Sequence, residues 1–241
     1  MLMKTRLLIL QHMPWEKPGQ FLLRSAKKHH VQLDILEIWH QPIPDIGSYH
    51  GLIVLGGSPN IDQVEQYPFL KAEKEIIHWT IDNDMPYLGF CLGHQLLAEA
   101  LGARVGLNFC SSVGFIQGQI TKNGCMHPIL RGIPQSFTIF KWHSQAVLPP
   151  LPKNLQVLAT SADCMVEAIS MQGKPHLIGL QFDNHAAAPS DIRDWVENDQ
   201  EWLLHVSRVN PMNILNDAER LENITVKQFD ILFNNFITLI S

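Results

Sequence analysis

The run Gly89-Phe90-Cys91-Leu92-Gly93-His94-Gln95 sets a thiol between two glycines. A cysteine nucleophile needs room for substrate, help in losing its proton, and donors aimed at the oxyanion that forms when it attacks a carbonyl. Glycines at 89 and 93 let the backbone turn sharply and let a substrate come close. An apolar run ends at Phe90, and a helical pattern begins near Gly93 and stops at Gly102, so Cys91 falls in a strand-turn-helix elbow. The positive end of that helix favours thiolate over thiol. The amide of Leu92, just after the nucleophile, is free to face a developing oxyanion, and the Gly56-Gly57 turn offers a second donor. A cysteine in a glycine-rich turn is more often just a small buried residue. Here, however, the preceding strand, both glycines, the following helix and a second glycine turn coincide.

The elbow can work only if larger elements hold it. Short apolar runs at Arg6–Gln11, Val31–Glu37, Gly51–Leu55 and Pro86–Phe90 read as strands buried on both faces, with helical composition at Gln20–His30 and Pro68–Asn83 between them. This alternation predicts an α/β fold with a mostly parallel sheet flanked by helices. Such sheets bind ligands beyond the carboxyl ends of their strands, where both Gly56-Gly57 and Cys91 would lie. From Arg104 to Ser170 the pattern changes to strands such as Phe115–Thr121, Phe137–Phe140 and Val157–Thr160 between Gly/Pro turns, which predicts a smaller antiparallel extension. His176–Phe182 is another buried strand. The tail, about 190–241, reads as helical. Ser190 is expected to cap a helix running through Trp195 and Trp202, and Thr225-Val226-Lys227-Gln228 has capping-box spacing ahead of Phe229. With no repeat, low-complexity segment or internal linker in view, residues 1–241 are expected to form a single domain with the helical tail packed on it.

Bulk properties narrow the setting. The 241 residues are 46% hydrophobic and carry a formal charge of -5 with acids and bases scattered, which argues against a nucleic-acid groove or a basic membrane patch. No apolar run is long enough to span a bilayer, and no small-residue cleavage site follows the apolar run at the N-terminus. The four cysteines, Cys91, Cys110, Cys125 and Cys164, show neither paired nor metal-ligand spacing. A reduced, cytoplasmic setting without metal or other cofactor is the expectation.

These segments resemble the class I glutamine amidotransferases, and within them the free-standing GMP-synthase-like subgroup. Gly89 to Gln95 matches the family's Gly-x-Cys-x-Gly-x-Gln; Gly51 to Gly57 looks like its oxyanion strand; Trp142-His143-Ser144 resembles a Trp-His segment of the subgroup; Gly179-Leu180-Gln181-Phe182 matches the start of its second catalytic segment. The likeness runs from Arg6 to about Phe182. It implies a flavodoxin-like sheet and hydrolysis of the amide of glutamine, or of a related γ-glutamyl amide. Cys91 would form a thioester, Gly57 and Leu92 would donate to the oxyanion, and Gln95 would hold the substrate. No Gly-x-x-x-x-Gly-Lys-Ser/Thr phosphate loop occurs. The ammonia acceptor would therefore bind directly or belong to a separate synthase subunit.

One departure bears on the chemistry. Where the family reads Gly-x-Gln-Phe-His-Pro-Glu, this chain reads Gly179-Leu180-Gln181-Phe182-Asp183-Asn184-His185, so that acid and imidazole are exchanged. Moving a proton from a free thiol to a carboxylate is uphill by roughly 4.6 pK units, about 6 kcal/mol, against about 2.7 kcal/mol to imidazole. A carboxylate beside the thiol also raises the thiol's pKa. On a strand His185 would stand about 6.8 Å beyond Asp183, out of hydrogen-bond reach of Cys91 unless a turn closed the gap. His94 and His143 are weaker substitutes, better read as structural. Ser112-Val113-Gly114-Phe115 also differs from the Glu-Ile-Gly-Trp of many relatives. The expectation is an amidotransferase-like protein whose hydrolysis is weak or lost. The alternative is a non-catalytic module binding a ligand or partner on the same fold.

Overall fold

Leu7, Leu8, Ile9 and Leu10 are all buried, as an unbroken apolar run requires of a strand covered on both faces. They lie in β1 (Arg6–Gln11) of a computed structural model that describes residues 5–240. The chain continues through α1 (Gln20–Lys28), β2 (Gln32–Glu37), β3 (Gly51–Val54), α2 (Phe69–Asp82), β4 (Tyr87–Phe90) and α3 (Leu92–Ala100). After these come β5 (Arg104–Ile120), α4 (Lys122–Met126), β6 (Ser136–Leu148), β7 (Leu155–Ser161), β8 (Ala168–Met171), β9 (Lys174–Leu180), α5 (Pro189–Asn198) and α6 (Pro211–Leu239). The strands form one sheet in the order β2-β1-β3-β4-β9-β8-β7-β5-β6. Pairings from β2 to β9 are parallel, and those from β9 to β6 are antiparallel. The mostly parallel sheet with its antiparallel extension is as the sequence predicts.

Several local expectations are corrected. β2 is not buried on both faces, because it is the edge strand: Gln32 and Ile35 are exposed and only Leu36 is buried. Phe115 and Phe137 belong to much longer strands: β5 and β6 form a ribbon whose register slips between Leu107 and Ser112. α5 starts from Ala188, with Pro189 in its first turn, so Ser190 lies inside the helix. That helix ends at Asn198, and Trp202 belongs to a separate π-helical turn that closes at Arg208 in the left-handed region, φ 55°. α6 is capped by the Asn210 side chain, which accepts from the Met212 amide. Thr225 sits in the middle of α6 with its hydroxyl donating to the Leu221 carbonyl 3.1 Å away, a common fate for threonine inside a helix.

Two apolar layers cover the sheet. One is built around Leu8, Val54, Ile77 and Leu96 beneath α2 and α3. The other gathers Ile9, Phe90, Phe140 and Phe182 with Phe229, Phe233 and Phe236 of α6. α3 is itself buried almost throughout, so the elbow that starts it is wedged between sheet and helix rather than displayed on a loop.

Candidate functional site

The elbow is tightly constrained. Cys91 has φ 44° and ψ -99°, a conformation that costs a non-glycine residue about 1–3 kcal/mol and persists only where its surroundings enforce it. The enforcement is steric. A Cβ on Gly89 would stand 2.5 Å from the Gly93 carbonyl, and one on Gly93 would stand 2.4 Å from the Val54 carbonyl oxygen. The Cys91 amide donates to the Leu180 carbonyl of β9 at 2.8 Å, and the Tyr87 hydroxyl donates to the Gly93 carbonyl at 2.8 Å. Strand, turn and helix are therefore locked to both neighbouring strands.

The Gly56-Gly57 turn, at the end of β3, is held from behind. Buried His12 lies 2.9 Å through Nδ1 from the Gly56 carbonyl and 2.8 Å through Nε2 from Glu73 Oε1. Burial works against the imidazolium, but the Glu73 carboxylate, helped by the Gly56 carbonyl and Glu16, holds the His12 pKa above its ordinary value. Protonated, the ring donates on both sides. Because the N–H and C=O of a trans peptide point in opposite directions, turning the Gly56 carbonyl onto His12 turns the Gly57 amide away from it. Gly57 and Cys91 both line one cleft of about 230 Å³.

Asp183 enters this cleft, whereas His185 does not. A Cβ on Gly56 would come within 3.1 Å of Asp183 Oδ1 and 3.3 Å of the Cys91 Cβ, which puts the carboxyl and the thiol-bearing carbon on either side of one glycine. β9 ends at Leu180, and residues 184–186 form a 3-10 turn, so 183 and 185 do not share a strand face. The turn carries the His185 ring under the sheet, where it stacks on Phe90 at 4.2 Å between ring centres. His185 Nδ1 lies 4.0 Å from Asp183 Oδ1, beyond hydrogen-bond distance. Asn184 fastens the turn: its Oδ1 accepts from the Phe140 amide at 2.7 Å, and its Nδ2 donates to the Thr138 carbonyl at 2.9 Å.

The electrostatics follow from this enclosure. Burial, reinforced by Asp183 and Glu16, pushes the Cys91 thiol well above its ordinary pKa, outweighing the Leu92 amide and the more distant Lys141. Burial likewise pushes Asp183 well above the usual carboxylate range, and neither of its oxygens has a hydrogen-bond partner. Burial lowers His185 to about 3. Enclosure thus favours the uncharged form of all three groups: burial pushes the thiol and the carboxyl up and the imidazole down.

His94 and His143 do not repair the deficit. His94 faces β9, where a Cβ on Gly179 would approach its Nδ1 to 2.9 Å, and burial lowers it to about 4. His143 does reach the cleft, but burial with Lys141 close by lowers it to about 3. The structure gathers one group with metal-ligand geometry among the described residues: atoms of His143, Cys164 and Glu167 lie within 4.8 Å of one another. Glu167, however, is already bound by the buried ammonium of Lys141 and by the Ser161 hydroxyl, so the negative charge a metal would use is neutralised.

Three features escape the sequence reading. Gln181 Nε2 donates to the Cys91 sulfur at 3.5 Å and its Oε1 accepts from Gln95 Nε2 at 3.2 Å. Gln95 thus touches the thiol through a second amide, while still lining the cleft. Glu16 also lines the cleft. Its Oε1 accepts from the Ser58 hydroxyl at 2.6 Å, its Oε2 is shut off from solvent without a partner, and burial raises its pKa to about 7. Finally, the mouth is aromatic, with the Trp142 ring against both Trp195 and Trp202 and Trp142 Nε1 donating to Asp199 at 2.8 Å. Among these features, Gln181 and Trp142 sit inside segments the sequence marks out, whereas nothing in the sequence points to Glu16.

Residues 19–183 match the family model described as "Glutamine amidotransferase class-I". A glutamine-hydrolyzing GMP synthase subunit from Methanosphaera stadtmanae is 32% identical over 172 residues, covering 68% of this chain and 82% of that protein. The like-named protein of Archaeoglobus fulgidus is 29% identical over 141 residues, 58% of this chain and 69% of that one. A glutamine amidotransferase from Thermotoga maritima superposes with a TM-score of 0.87 over 97% of this chain and 98% of its own, at 24% identity. One from Methylobacillus flagellatus does so at 0.83 over 98% and 95%, with 21% identity. At those identities the likeness to solved structures speaks for the fold.

Proposed function

Because this chain belongs to the class I glutamine amidotransferase family, we infer that its cleft receives glutamine or a related γ-glutamyl amide, and that hydrolysis through a Cys91 thioester is slow or lost. The observation that carries this reading is the exchange at the turn after β9: a buried carboxylic acid faces the cleft beside the thiol, while the imidazole packs on Phe90. In the full reaction Cys91 attacks the side-chain carboxamide, the amides of Gly57 and Leu92 hold the oxyanion, ammonia leaves, and water releases glutamate. A base must take the thiol proton and return it to the departing nitrogen. Asp183 puts a carboxyl where the imidazole base would stand; burial pushes it toward its protonated form, and ionised it would repel the thiolate. The machinery for recognising and polarising an amide thus outlasts the machinery for moving the proton.

The names of the relatives suggest a partner as well. Both are named as one component of a glutamine-hydrolyzing GMP synthase, and a separate ammonia-accepting synthase subunit is the corresponding expectation here. A second reading, a ligand-binding module without turnover, is favoured by one observation: Asp183 faces the cleft beside the thiol with no hydrogen-bond partner on either oxygen, and no imidazole accompanies it.

The test is the double exchange Asp183→His with His185→Glu, assayed for glutamate release from glutamine. General-base catalysis is worth about 10²–10⁴-fold, so a rise of about a hundredfold or more is expected, abolished by Cys91→Ala. A folded double variant no faster than the parent would refute the assignment of the defect to residue 183.

A further inference from the structure

The walls of the cleft are as distinctive for what they lack as for what they hold. No lysine or arginine lines it among the described residues. The nearby ammonium of Lys141 is fully buried and committed to Glu167 and Asp163, and His143 is held neutral. A ligand anion entering the cleft would therefore meet no side-chain cation.

What it would meet is acidic and aromatic. Asp183 is 1% exposed, is aimed into the cleft, and has no partner on either carboxyl oxygen. A buried polar group left unpaired is costly, and a ligand donor would remove that cost. Glu16 presents a second enclosed oxygen without a partner, Oε2. Asp199 closes the set at the mouth, fixed by the Trp142 indole. Four indoles share the lining: Trp142, Trp195 and Trp202 on one side, with Trp15 beside Glu16. An indole face carries negative electrostatic potential and attracts cations, most strongly where water is excluded.

We propose that this cleft selects an alkylammonium group, seated against the tryptophan faces and hydrogen-bonded to Asp183, with Asp199 and Glu16 lining the same acidic cleft. The inference rests on the cleft being the ligand site, as proposed above, but requires no hydrolytic turnover. An ammonium entering the cleft would supply the N–H donors that the Asp183 carboxyl lacks. A cavity of about 230 Å³ suits a small aliphatic amine.

The experiment is isothermal titration of the purified chain with three probes of equal length, n-butylammonium, 1-butanol and butyrate, at constant ionic strength. The cation is expected to bind at least about tenfold more tightly than the alcohol, and more tightly still than the carboxylate. Asp183→Asn and Asp199→Asn, made separately, should each weaken the cation about tenfold or more while leaving the alcohol unchanged. Urea midpoints establish that each variant is folded, and either one suffices to decide. Cation binding no tighter than that of the alcohol, or unchanged in a folded Asn variant, overturns the proposal. Failure here leaves the glutaminase result of the double exchange untouched, and the reverse holds equally.

Discussion

Glu16→Gln measures how strongly the cleft holds on to protons. The Glu16 pKa rises from 4.5 to about 7, chiefly through burial, with the Ser58 hydrogen bond and His12 opposing and Asp199 adding to the rise. A carboxyl whose folded pKa exceeds its unfolded one leaves the folded state with more bound protons between the two values, so stability falls as pH climbs through that window and is level above it. A rise of about 2.5 units corresponds to about 3 kcal/mol for a fully enclosed group. Glu16 is half-buried, with only Oε2 sealed, so screening reduces the expected figure to about 2 kcal/mol. Glutamine keeps the shape and a partner for Ser58 but does not titrate. Urea unfolding of parent and variant at pH 5 and pH 8 should show the variant gaining about 2 kcal/mol on the parent between the two conditions. Parallel pH profiles would refute the claim that enclosure, rather than the hydrogen bond, governs this group.

Two further outcomes follow from the geometry. The His12–Glu73 pair is wholly buried, and Glu73→Gln should cost about 3 kcal/mol by leaving the ring without its counter-charge. The raised His12 pKa contributes stability that is complete below about 6.5 and is lost as pH rises through the folded value. Guanidinium unfolding at pH 6 and pH 9 should therefore show a larger deficit at pH 6, and an equal deficit at both would contradict this account. Cys91 should alkylate slowly with iodoacetamide, its rate still climbing beyond pH 9, the thiol's ordinary value; a plateau reached below that pH would show a thiolate the enclosure does not permit.

The sequence makes parts of this molecule plain and hides others, for physical reasons. β1, β3 and β4 are consecutive apolar runs because helices cover both of their faces, and such runs are legible without any partner in view. The β5–β6 ribbon alternates buried and exposed positions imperfectly and slips register near Leu107, so only its apolar cores at Phe115 and Phe137 stand out. Thr225 has the spacing of a helix start but lies in the middle of α6, since spacing alone cannot tell a cap from a helix interior. Within the site, Cys91, Gly57 and Leu92 are legible because strand-turn-helix geometry is local. Glu16, Trp15, Asp199 and Trp202 come from segments far apart in the chain and carry no common pattern; only folding makes them neighbours. The direction of the His185 ring is equally hidden, because it depends on a 3-10 turn where the strand pattern simply runs on.

That turn has a further consequence. Asn184 bonds the backbone of β6 on both sides, at Phe140 and Thr138, and so stands in for a strand partner where the sheet ladder has stopped. The positions on either side of it behave as two fixed sockets, one opening on the cleft and one on the Phe90 ring. The backbone does not need to move for the chemistry to change, since whatever side chain occupies 183 meets the thiol and whatever occupies 185 meets the core. A replacement at one socket therefore changes what faces the thiol without disturbing the hydrogen bonds that fix the turn. The two sockets are thus independent of one another in what they present, one to the cleft and one to the core.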